Sequence, residues 1–207
     1  MKRSTYEHLA PELDRAQAMT VAEAKNRVLP IYAQLAAQAD EFSARAAQRS
    51  DVHCGRGCSA CCVGGLSAGP LEAFRLREAL RDLDEGARKR LRQRSAEVQA
   101  GDEACVFLVD DACLVYDARP MVCRTQGLPL IYAQGTLGDA SSAVLGDGRE
   151  LTWCPLNYED APPSPAEMLD AQRLDEAMVQ LNHVFAEGDE APRTSLVVLA
   201  QACLSDR

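Results

Sequence analysis

Cys54-Gly55-Arg56-Gly57-Cys58-Ser59-Ala60-Cys61-Cys62 places four thiols within nine residues. Cys105, Cys113 and Cys123 follow, so seven of the nine cysteines fall in one 70-residue stretch. Thiolates at this density serve to hold a metal or to be oxidised. Cys58-x-x-Cys61 has the two-residue spacing of zinc knuckles and iron–sulfur loops, in which one tight turn aims both sulfurs inward. Read as a helical turn, Cys54 and Cys58 share a face, as do Cys58 and Cys62. Adjacent Cys61 and Cys62 then diverge by about 100°. The doublet therefore points to two adjacent sites, a multinuclear cluster, or one ligand beside a spectator.

Cys105, Cys113 and Cys123 are the candidates for the remaining ligands, with Cys154 as an eighth thiol. Eight thiolates fill two four-sulfur sites, whereas six or seven suit one site plus reactive thiols. The spacing leaves both open. Cys203 sits among Leu196, Val197, Val198 and Leu199 and reads as a core residue. His53 adjoins Cys54 and reads as support for a site more than as a ligand. Four thiolates around a divalent ion leave a net charge of about −2, which calls for nearby cations or backbone N–H groups. Arg56 lies inside the first run, and Arg119 and Arg124 flank Cys123. These three are the candidate counter-charges, against a reading as ordinary surface arginines.

The bulk composition narrows the function classes. Thirty-one acidic against 22 basic residues give a net charge of −9, which disfavours a nucleic-acid partner. The basic run from Arg81 to Arg94 reads as a solvated helix face. No stretch approaches the roughly 20 apolar residues of a membrane helix. The start, Met1-Lys2-Arg3-Ser4-Thr5-Tyr6-Glu7-His8, lacks an apolar core, so the expectation is a soluble, cytoplasmic protein. A reducing compartment keeps thiols free for metal or catalysis, and an odd cysteine count cannot be consumed by disulfides.

Pattern along the chain predicts a mainly α fold with a small β-hairpin, its helices surrounding a cysteine-rich metal-binding centre. Apolar residues at three- and four-residue steps predict a helix over 12–48, kinked or divided at Pro30. Residues 51–69 read as glycine-rich loop. A helix follows from Pro70 and another over 87–99. The β-prone runs on either side of Asp110-Asp111, within 105–116, read as a hairpin. Asp117 is a candidate N-cap for a turn through Cys123. Residues 128–132 and 151–153 read as short strands around a glycine-rich loop. Beyond a proline boundary, helices are expected over 166–187 and 193–204. Three parts emerge: a helical extension over 1–50, a cysteine-cluster domain over 51–160, and C-terminal helices over 161–207.

Cys54-x3-Cys58-x2-Cys61-Cys62, followed by Cys105-x-Phe-Leu and Cys113-Leu-Val-Tyr-Asp-Ala-Arg-Pro-Met-Val-Cys123-Arg124, resembles the bacterial YkgJ-type CxxCxxCC cysteine-cluster family. The resemblance covers about residues 52–125 and leaves 1–48 and 165–207 unexplained. Three residues separate Cys54 from Cys58 where the family label implies two, which singles out Cys54 as the atypical position. The resemblance implies a metal ion as partner and an iron–sulfur cluster or Zn as cofactor. A flagellin lysine methylase with a similar cysteine cluster is linked to an iron–sulfur centre, but no methylase activity is carried over to this shorter chain.

The expected function is thus a protein that holds an iron–sulfur cluster or zinc through thiolates. One alternative is an iron–sulfur-dependent enzyme of methyl-transfer or radical S-adenosylmethionine type. Cys54-x3-Cys58-x2-Cys61 has the radical-enzyme spacing, though Ala60 stands where those enzymes carry an aromatic. The other alternative is a metal-free thiol redox sensor built on Cys61-Cys62 or on Cys58 and Cys61. The sequence indicates no substrate and no protein partner.

Overall fold

Val28, Ile31, Leu35, Ala39 and Phe42 form one apolar stripe, and the chain buries it as helix α1 (Val21–Ala46). A computed structural model of the protein describes residues 21–186 and 192–205, with side chains from residue 26. The first part of the expected 12–48 helix, residues 12–20, lies outside the described residues, as does the N-terminal octapeptide. Pro30 does not divide α1, which runs through it. An interior proline costs about 3 kcal/mol. Each fully buried Val, Leu or Ile returns about 1.5–3 kcal/mol, so the stripe outweighs it.

The described residues fold into six helices and small sheets, a mainly α fold with small β elements as expected. They divide into two compact units. One joins the chain up to Gly55 with the stretch from Arg124 to residue 186. The other joins Arg56–Cys123 with residues 192–205. No described helix is long and apolar enough to cross a membrane.

In the first unit α1 packs against α5 (Ala171–Phe185), which buries Leu174, Met178 and Leu181. Asp170 caps α5 by accepting from the Arg173 N–H at 3.1 Å. β4 (Leu130–Tyr132) runs antiparallel to β6 (Glu150–Thr152), with Ile131 opposite Leu151, and these answer the two strands expected there. Two further strands extend the sheet. β5 (Ala143–Val144) pairs with β6, and β7 (Leu169–Asp170) runs parallel to β4. β7 and a 3-10 turn at Pro165–Glu167 occupy the start of the segment expected to be helical from 166. The expected end of that helix at 187 lies outside the described residues.

In the second unit, α2 (Pro70–Arg81) and α3 (Glu85–Gln99) pack against α6 (Leu196–Ser205). Leu76, Leu80, Leu91, Phe107 and Leu199 are enclosed in their common core. Cys203 belongs to the same core, and its thiol donates to the Leu80 carbonyl at 3.5 Å, consistent with a packing role. β1 (Ser67–Ala68) pairs with β8 (Thr194–Ser195). The hairpin falls where the sequence placed it. β2 (Leu108–Val109) pairs with β3 (Ala112–Cys113) across Asp110 and Asp111, whose φ angles are 50° and 57°. Positive φ at both central residues matches the twist of the flanking strands, and aspartate tolerates that region better than most residues.

Arg94, 8% exposed on α3, bonds both oxygens of Asp102 at 2.8 and 3.0 Å and the Cys105 carbonyl at 3.2 Å. The Arg94 bonds, with the Ala104 N–H, lower the Asp102 carboxyl from 3.8 to about 2. A group depressed on folding stabilises above its unfolded value and loses that contribution as pH falls through its folded value. Asp102→Asn should therefore lose less stability than the parent between pH 4 and pH 2. The effect is modest because the carboxylate is 45% exposed. Urea unfolding midpoints across that window measure it, and parallel losses in the two proteins would refute the assignment.

Candidate metal centre

The Cys54–Cys62 run is turn and loop, not helix, so its thiols are not arranged by helical faces. Positive φ at Gly57, +90°, reverses the chain after Arg56. The Cys62 N–H then closes a turn on the Ser59 carbonyl at 2.9 Å. From Cys62 onward the strand lies against residues 103–105. Cys105 N–H donates to Cys62 O at 2.9 Å, Gly64 N–H donates to Glu103 O at 2.5 Å, and Val63 bridges Ala104. A Cβ on Gly64 would stand 2.9 Å from the Glu103 carbonyl oxygen, so this close approach requires glycine. The pairing sets Cys62 beside Cys105, although β1, α2 and α3 separate them in sequence.

Cys113 and Cys123 reach the same neighbourhood by other supports. Cys113 faces Leu108 in the hairpin register. Cys123 lies in α4 (Met121–Thr125), whose start is held by Glu72, a carboxylate 4% exposed on α2. Glu72 accepts the Met121 N–H at 2.6 Å and the Gly69 N–H at 3.3 Å. Asp117, expected as a cap, lies in a 3-10 turn (Tyr116–Ala118) and takes Arg56 at 2.6 Å. Sequence reading missed Glu72 and Arg94 as supports, because their partners lie on other elements and follow no local spacing.

The thiols of the second unit feel one another. Cys61 donates a hydrogen bond to Cys62 and its own pKa is driven far above the ordinary thiol range, first by that bond and then by burial. The same bond lowers Cys62, against burial and the charges of Cys105, Cys113 and Cys123. Burial pushes up Cys105 and Cys113. Cys123 rises to about 12, chiefly through burial and then through the charges of Cys105 and Cys113. Arg119 acts in the opposite sense on Cys61, Cys113 and Cys123, and Arg56 does so on Cys113. Both guanidiniums stack on Tyr116, at 3.6 and 4.0 Å from its ring centre. Cys58 is half-buried in the same loop.

Cys54 and Cys154 belong to the first unit and meet at Gly127. A Cβ built there would lie 2.7 Å from Cys54 Sγ and 3.3 Å from Cys154 Cβ. Asn157 completes the corner, donating to Cys54 Sγ at 3.0 Å and to Gly127 O at 2.9 Å. The exposed His53 contributes its backbone N–H to Asn157 Oδ1. Next along the chain, Tyr158 has φ +60°. It is pinned by its N–H to Asp51 O at 2.9 Å and by the Arg49 guanidinium 4.8 Å from its ring centre. Arg124 bonds Asp40 of α1 in this unit.

These donors fit zinc or iron by their chemistry. Soft thiols line both groups. Among the described residues, no three His, Cys, Asp or Glu side chains already stand in a metal-holding arrangement. Deprotonated sulfurs repel, and a cation is what cancels that repulsion.

Residues 53–139 match the family model CxxCxxCC, "Putative zinc- or iron-chelating domain". This is the family that the cysteine spacing resembles. The match takes in every cysteine from Cys54 to Cys123 and ends before Cys154. No curated protein and no solved structure matches the chain.

Gly127→Ala would force a side chain into the space of the Cys54 sulfur at a position of φ +87°. The expected cost is about 1–3 kcal/mol of stability. Chemical unfolding measures it, and an unchanged midpoint would remove Gly127 from this account.

Proposed function

We propose that this chain is a cytoplasmic thiolate metal-binding protein. Its donors in the second unit are Cys58, Cys61, Cys62, Cys105, Cys113 and Cys123, and those in the first unit are Cys54 and Cys154. The observation that carries the reading is the backbone pairing that sets Cys62 beside Cys105, with Cys113 and Cys123, distant in sequence, close enough for their charges to bear on Cys62. Arg119 and Arg56 are the proposed counter-charges; Arg124 pairs with Asp40.

Iron–sulfur is the favoured form. A structural zinc is satisfied by four ligands, whereas Cys62 with the four thiols whose influence it feels makes five, a vicinal pair among them, and exceeds that need. When bound, an iron–sulfur cluster would supply one-electron exchange. The protein's own part is to gather the sulfurs, bury them and offset their charge. Zinc is the second form, supported by the printed description of the matching family. Four thiolates would then close the site, and binding would contribute folding energy.

Anaerobic purification followed by metal analysis and a visible spectrum tests the reading. Brown protein with iron and acid-labile sulfide is expected. Colourless protein with stoichiometric zinc would select the second form, and metal-free protein would overturn both. Cys58→Ser and Cys113→Ser should each lower metal content and thermal midpoint together, whereas Cys203→Ser should leave metal content unchanged. Full loading in both of the first two variants would refute the ligand set.

A further inference from the structure

Asn157 is only 2% exposed, and its amide serves three chain segments at once. Its Oδ1 accepts the His53 N–H at 2.9 Å, while Nδ2 donates to Gly127 O at 2.9 Å and to Cys54 Sγ at 3.0 Å. This network fixes the amide orientation. A flipped amide would set an NH2 against the His53 N–H and an oxygen against the Gly127 carbonyl. Both Nδ2 hydrogens are thus assigned, one to backbone and one to sulfur. Closing the local turn needs neither bond, because the Asn157 N–H already reaches Cys154 O at 2.9 Å.

The opposite wall has the complementary shape. Gly127 lacks the Cβ that would otherwise occupy the space of the Cys54 sulfur. One side of the corner is therefore emptied for the sulfur and the other bonds it. We propose that Asn157 is the positioning residue for Cys54, holding its sulfur by an amide N–H···S bond as a metal donor of the first unit. The inference rests on the reading of this chain as a thiolate metal protein. An N–H donor orients the sulfur and disperses the charge of its thiolate without adding a formal charge. Loss of such an outer partner commonly weakens metal binding 10–100-fold.

The test uses the full chain and cobalt(II), with affinity measured by chelator competition and thiolate coordination read from the sulfur-to-cobalt charge-transfer band. Cys54→Ser and Asn157→Ala should each weaken cobalt binding by about 10–100-fold. The double variant should bind no more weakly than Cys54→Ser alone, because Asn157 acts through that sulfur. Asn157→Asp keeps the size of the side chain and the acceptor for His53 but removes the donor. It should reproduce the loss of Asn157→Ala, and it answers the case in which the alanine variant does not fold. Additive losses in the double variant would overturn the proposal, because Asn157 would then act on the fold at large. Cobalt binding by the parent with no change in Cys54→Ser would also overturn it while leaving the metal reading intact. A parent chain that binds neither cobalt nor iron would sink the metal reading itself.

Discussion

The backbone pairing of Cys62–Gly64 with Glu103–Cys105 is the constraint on which the sulfur group of the second unit depends. Two hydrogen bonds and one close glycine approach bring together residues separated by two helices. Closing that loop costs chain entropy, and two short bonds do not meet the cost alone. The core of α2, α3 and α6 does, because its enclosed leucines and Phe107 hold the ends of the intervening segment. Arg94 and Glu72 then carry the order of the helices to the sulfur-bearing backbone, one at the Cys105 carbonyl and the other at the start of α4. α2 and α3 thus support the sulfur-bearing backbone without carrying a cysteine themselves.

Gathering thiols has an electrostatic consequence. Burial opposes deprotonation at Cys105, Cys113 and Cys123, and at the last two the charge of Cys105 adds to it. Cys62 is lowered, through the thiol of its neighbour. These thiols would hold a divalent cation as thiolates, whose charge it would offset and whose protons would leave on binding. Arg119 supplies part of the same effect from the protein side, acting on Cys61, Cys113 and Cys123.

Much of the fold was legible because its signals are local. The Asp110-Asp111 turn, the proline start of α2 and the apolar stripe of α1 each depend on residues a few positions apart. The start of α3 was read two residues late, at 87, because Gly86 looks like a break; Asp84 caps the helix there by accepting the Ala87 N–H. The sheet was half legible. β4 and β6 show as apolar runs, but β5 and β7 are two residues long and acquire meaning only through their partners. Pro30 misled because its local cost is visible in sequence while the burial that outweighs it is tertiary. In the candidate site, the clustering of thiols is visible in the spacing. The supports at Glu72, Arg94, Gly127 and Asn157 are not, since each bonds or abuts residues on distant elements.

Cys54 shows why motif spacing underdetermines a sulfur's role. Read as a helical turn, it shares a face with Cys58. In the fold the segment is a turn, and the surroundings of Cys54 are Gly127, Cys154 and Asn157. The two units also offset sulfur charge by different means. In the second, guanidiniums stacked on Tyr116 act at a distance and add formal charge. In the first, a buried neutral amide donates directly to sulfur, which steers one lone pair and leaves net charge unchanged. A guanidinium lowers the energy of any nearby thiolate, whereas a single N–H···S bond selects one sulfur in one orientation. Cys54 is therefore the thiol whose position, more than its charge, the protein controls.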